Sequence, residues 1–156
     1  MTLSFTKEDF PLIAIFESAP GNEMGAAHLR DGFEKAVNGS IDDKFDFAFA
    51  LQTGIAWPES RAQMQQMLPT LTDAVAEKTL VKCYEIFELA AANNLDAAGM
   101  YYNFTLCGVG CEQDMSKAEA ALGKLDQLAQ EHPEYTRIIG KAREDMASIK
   151  QQLGLQ

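Results

Sequence analysis

Cysteine is scarce in this sequence: Cys83, Cys107 and Cys111 are the only three among 156 residues. An odd number spread so thinly does not make the disulfide framework of a small secreted domain, and it points to a reducing compartment. The expected location is cytoplasmic. Basic side chains are also few, since 13 Lys and Arg stand against 23 Asp and Glu and leave a net charge of −10. That balance repels nucleic acid and anionic lipid, because binding either begins by neutralising phosphates. A basic protein partner is favoured, and the surplus carboxylates also serve solubility. Long apolar runs are missing, none approaching the roughly 20 residues of a membrane helix. The opening stretch carries Lys7, Glu8 and Asp9 ahead of a short apolar run, Pro11 to Phe16. It has no basic leader and does not read as a secretory signal. A chain of this length buries about two thirds of its unfolded surface, enough to fold without staples.

The patterns of catalysis and metal binding are lacking too. Gly108-Val109-Gly110-Cys111 contains a G-x-G, but a dinucleotide loop needs a third glycine where Gln113 stands, and a P-loop needs Gly-Lys-Ser/Thr. Cys107 and Cys111 have no second pair, and Cys83, His28 and His132 are scattered, so no closed metal site is expected. His28 lies beside Arg30 and Asp31, and His132 precedes a proline; neither has a nucleophile at an informative spacing. Asp42-Asp43 and Glu144-Asp145 are adjacent pairs, whose side chains on a helix point about 100° apart. The expectation is a protein that is not an enzyme and holds no cofactor. Two readings of the cysteines stand: free thiols buried in a helical core, or a reversible Cys107–Cys111 disulfide in a thiol-dependent redox protein.

What is abundant is helical periodicity. Tyr135, Ile138, Ala142, Met146, Ile149 and Leu153 recur at threes and fours, with Pro133 at a helix start and Gly154 at its stop. Ala118, Ala121, Leu122, Leu125 and Leu128 form a second stripe behind an N-cap at Asp114. Residues 95–107 are apolar on more than one side and predict a helix sandwiched between neighbours. Residues 75–92 predict a long helix with Leu80, Tyr84, Phe87 and Ala91 inward, ending in a left-handed Asn93-Asn94 cap. Ser40 and Asp43 resemble a capping box ahead of a helix that Gly54 closes. In that segment Phe45, Phe47, Phe49 and Leu51 alternate, which also fits a strand, as does Leu12 to Phe16; helix is the preferred reading. Met24, Ala27, Phe33 and Val37 mark another helix closed by Asn38-Gly39, and Pro58 and Pro69 bracket a short one with Met64, Met67 and Leu68.

An internal echo appears when Lys82-Cys83 is laid over Lys117-Ala118, 35 residues on. Ile86-Phe87 and Ala90-Ala91 then fall over Ala121-Leu122 and Leu125, a period typical of helical solenoids. The run Lys82, Cys83, Ile86-Phe87, Ala90-Ala91, Asn93-Asn94, Ala98-Gly99, Tyr102, Gly108-Val109-Gly110-Cys111, Asp114, Lys117-Ala118 resembles the Sel-one-like repeat family, relatives of the tetratricopeptide repeats. The resemblance covers residues 82 to about 129. In its terms Gly99 and the alanines admit close helix approach, Tyr102 fills the space between helices, Gly108 and Gly110 turn the chain, and Asp114 caps the next helix. Three extra residues between Tyr102 and Gly108 imply about one more helical turn than the family has.

These readings together predict one all-α domain over residues 1–156, of about seven helices. Residues 1–74 form a helical half without repeat match, and residues 75–156 form antiparallel hairpins stacked as a short superhelix with a C-terminal capping helix. The resemblance implies a protein-protein interaction module, and a specific form is a bacterial immunity protein that blocks a cognate toxin. The expected contact surface has Tyr101 and Phe104 as anchors and Glu85, Glu88, Glu112 and Asp114 around them. A regulatory or assembly adaptor is the alternative.

Overall fold

Every regular element over residues 4–155, those the computed structural model describes, is helical. The eight α-helices found there are α1 (Pro11–Ser18), α2 (Glu23–Asn38), α3 (Ile41–Gln52), α4 (Pro58–Met67), α5 (Asp73–Ala90), α6 (Leu95–Cys107), α7 (Met115–Leu128) and α8 (Thr136–Gln152). Short 3-10 turns precede α1 at Lys7–Asp9 and join α7 to α8 at Ala129–Glu131 and Pro133–Tyr135. The protein is all-α, with a helix at its C-terminal end.

Local chemistry explains the boundaries. Ser40 Oγ accepts the Asp43 amide at 3.2 Å, and Asp43 Oδ2 accepts the Ser40 amide at 3.1 Å, a reciprocal box that starts α3. Lys44 is buried, with its ammonium donating to the Gly39 carbonyl at 2.9 Å and so satisfying the exposed end of α2. Thr72 caps α5 and Asp114 caps α7, each accepting the amide three residues on. Asn93-Asn94 departs from expectation: among the described residues only glycines have positive φ. Asn94 faces forward instead, its side-chain oxygen accepting the Ala97 amide at 3.0 Å and starting α6. The chain between α5 and α6 is so short that the next helix claims the asparagine.

The alternating phenylalanines of α3 serve two neighbours at once. Phe47 meets Phe10 edge-on at 5.2 Å, while Phe45 meets Phe87 of α5 at 5.6 Å. On a helix two-residue spacing turns the side chain by about 200°, so the strand-like alternation is what a helix packed on both sides requires. Phe87 in turn touches Phe104 of α6 at 5.2 Å, and Trp57 closes on Phe104. Arg61 ties α4 down, donating to the Ile55 carbonyl at 2.9 Å and pairing with Glu77 of α5.

Buried residues form two clusters. One gathers α1, α2, α3 and α5; the other gathers α7 and α8. Helix α6 supplies both, with Ala97 and Phe104 toward the first and Ala98, Tyr102 and Leu106 toward the second. This is the sandwiched helix its two-sided apolarity predicts. The buried side of α8 departs from the predicted stripe. Ile139 and Met146 are buried, while Ile138 is 60% exposed and Leu153 52% exposed. Residues 138 and 139 lie four and three before Ala142, so both fit a helical period, and the position of α7 selects Ile139.

Candidate protein-binding surface

The G-x-G turn that joins α6 to α7 is a structural bend. Gly108 has φ +73° and closes α6, with the amides of Gly108 and Val109 both donating to the Phe104 carbonyl. Gly110 has φ +68°, and a Cβ there would collide with the Leu80 carbonyl of α5. The turn therefore needs glycine twice, once for conformation and once for close approach as well. Gln113 donates to the Leu106 carbonyl at 2.8 Å, and the Cys111 thiol lies 3.5 Å from the Phe104 carbonyl oxygen. These contacts fill the bend with the chain's own groups.

The residues expected to face a partner are largely consumed by the fold. Phe104 is completely buried and is a core residue, which corrects its assignment as an anchor. Tyr101 is half-buried, its ring 5.5 Å from that of Tyr84, and burial together with Tyr84 pushes its hydroxyl pKa up. Thr105 donates to the Tyr101 carbonyl at 2.7 Å, so at the 3.0 Å Tyr84–Thr105 contact the Tyr84 hydroxyl is the donor. Glu85 pairs with Lys82 at 2.9 Å, and Glu88 pairs with Lys117 at 3.2 Å. The Lys117 ammonium also stands 5.5 Å over the Tyr84 ring. Asp114 is exposed and spends one oxygen on its cap. Glu112 is exposed and has no ion pair among the described residues.

Ala90, Ala91 and Ala118 are buried at helix contacts, and Tyr102 is buried between α6 and α8. Gly99 behaves differently from its expected role: a Cβ there would meet nothing within 4 Å. It opens space instead of admitting a neighbouring helix. Cys83 is buried, and its thiol is pushed up to about 12 by burial. Cys107, expected in the core, is exposed, because Leu106 takes the inward position beside it. Cys111 is half-buried, and all three thiols are free. Partial desolvation raises the pKa of Cys111 and, though its side chain is exposed, of Cys107, which works against thiolate formation. Among the described residues no three His, Cys, Asp or Glu side chains gather as metal ligands. No described helix is long and apolar enough to cross a membrane.

The open space above Gly99 belongs to a groove of about 490 Å³ between α3, α6 and α8. Phe49 and Ile138 form its outer walls at 44% and 60% exposure, and Met100 and Leu125 lie deeper. Asp46 of α3 and Asp96 of α6 line the same groove. Asn103 and Ile138 connect it to a shallower depression that continues past Arg137 and Lys141. The periodicity of α8 places Ile138 on a buried stripe, and the alternation at Phe45, Phe47, Phe49 and Leu51 does not single out Phe49 as exposed. The only trace of the groove in the sequence is Gly99, a helix-interior glycine with no turn to make.

Two large apolar side chains exposed on facing walls, over a glycine floor, can hold an apolar segment of another macromolecule. Compared with known proteins, the chain matches no family model, no curated protein and no solved structure.

Proposed function

We propose that the protein is a protein-protein interaction module that holds a basic partner through the α3/α6/α8 groove. One observation carries the reading: Phe49 and Ile138 stand exposed across a concave apolar surface that also holds the carboxylates of Asp46 and Asp96. Apolar centre and charged rim are the anatomy of a specific contact surface. The net charge of −10 steers a basic partner toward it and disfavours acidic ones.

The specific form we favour is an immunity protein that occludes a cognate toxin. The α5–α6 hairpin and the start of the next unit at α7 are proposed as Sel-one-like, with α8 as the C-terminal cap. Cys83 and Ala118, 35 residues apart, are both fully buried, and Phe87 and Leu122 at the next turn are buried too, which supports equivalent packing of α5 and α7. An adaptor reading has one observation in its favour, a second groove of about 410 Å³ lined by Phe16, Met64, Met67 and Leu68. Co-production with the product of the neighbouring reading frame tests the immunity reading. Rescue of growth and a co-eluting complex, both lost with Ile138→Glu, are expected; a toxic neighbour that this chain neither binds nor silences would reject it.

A further inference from the structure

The walls of the α3/α6/α8 groove are helical side chains, and no strand edge exists among the described residues to pair with an extended peptide. An extended segment laid on Met100, Ile138 and Phe49 would leave amide and carbonyl groups desolvated against carbon with no hydrogen-bond partner. A helix pairs those groups internally and presents a single apolar stripe. Dimensions agree with that choice. From Asp96 to Asn103 α6 lines the groove over about 10 Å, the rise of two helical turns. A bound helix would place side chains at i, i+3 or i+4, and i+7 along that length.

Charge then selects among helices. Asp46 and Asp96, which line the groove itself, have no ion pair among the described residues; in the depression beyond Ile138, Lys141 is paired with Asp145 and Arg137 has no ion pair among them. Two carboxylates without partners beside an apolar floor favour Lys or Arg on the occupant. A second copy of this chain would bring another net charge of −10 to the same surface.

We infer that the groove takes one face of an amphipathic helix from a partner protein, its apolar stripe on Met100, Ile138 and Phe49 and basic side chains beside Asp46 and Asp96. The inference rests on the interaction reading above and names the chemistry of the partner segment.

The probe is a synthetic amphipathic Leu/Lys peptide of about 16 residues, long enough to form a helix on binding. It is compared with a Leu/Glu counterpart and with a Leu/Lys version carrying two central prolines. Methionine and isoleucine methyl resonances of the full chain report where each peptide lands. Saturable shifts at Met100 and Ile138 are expected with the Leu/Lys peptide alone, weakened about tenfold in an Asp46→Lys/Asp96→Lys variant. No binding, shifts confined to Met64 and Met67, or equal binding by the proline peptide would overturn the inference. The interaction reading is judged separately on the co-eluting partner. A partner complex lost with Ile138→Glu, without helical-peptide binding, retains that reading and removes the helix. A complex indifferent to Ile138→Glu removes the groove from both.

Discussion

The Tyr102 hydroxyl donates to the backbone carbonyl oxygen of Ala142 at 3.2 Å and fastens α6 to α8 across the second buried cluster. The ring is buried while its polar tip finds a partner, so one side chain supplies both packing and registry. Since Ile138 lies one turn before Ala142 on α8, this bond also holds one wall of the groove. Tyr102→Phe should cost about 1 kcal/mol in urea unfolding, as for a single neutral hydrogen bond. Tyr102→Ala should cost about 3–5 kcal/mol by leaving a cavity.

Two glycines should respond to alanine with opposite signs. Gly110→Ala forces a side chain into positive φ and against the Leu80 carbonyl, and should destabilise by about 1–3 kcal/mol. Gly99→Ala meets no neighbour and should stabilise α6 by about 0.5–1 kcal/mol. It should also fill the groove floor and weaken partner binding. Thermal unfolding and partner titration of the same two variants check both statements.

Thiol reactivity should rank by burial. With a disulfide reagent at neutral pH, Cys107 should react first, Cys111 more slowly, and Cys83 only on unfolding. Cys83 also gives a pH dependence. Its folded pKa is raised from an ordinary 9.0 to about 12 by burial, so the folded state holds the proton where the unfolded state releases it. Its contribution is complete below pH 9.0 and is lost as pH rises toward about 12. Denaturant midpoints between these limits should fall, and Cys83→Ala should flatten the fall.

The Ser40 cap is testable without touching the core. Ser40→Ala should cost about 1 kcal/mol, the usual worth of an N-cap. The Ser40 amide holds the Asp43 carboxyl below its ordinary 3.8. That interaction is therefore present above 3.8 and lost as acid drives the pH through the lower folded value. Asp43→Asn should remove this part of the acid dependence in circular-dichroism melts.

On the groove itself, Ile138→Glu should change stability by no more than about 0.5 kcal/mol, because the residue is 60% exposed. Loss of partner binding with an unchanged melting temperature is the expected pair of results. An equal loss in Tyr101→Ala would move the contact surface to the Tyr84–Lys117 side.

Much of the fold was legible because it is written locally. Ser40 with Asp43, Asp114 ahead of α7 and the stripe Ala118, Ala121, Leu122, Leu125 each act over a few residues, and each was read where it stands. Asn93-Asn94 was misread for a reason of the same scale, since one asparagine can close a helix or open the next. The contact surface was less legible. Tyr101 and Phe104 are expected to face outward and Phe104 is core, while Ile138 is expected on the buried stripe of α8 and is exposed, as is Phe49.

The sequence by itself determined about seven helical segments, the Ser40 and Asp114 caps and the glycine turn at 108–110, because hydrogen bonds to nearby amides and left-handed φ depend on neighbours in the chain. Only the tertiary structure decided which apolar side chains remain uncovered. Exposure at Phe49 and Ile138 depends on how α3, α6 and α8 are spaced, and side chains that lie far apart in sequence set that spacing.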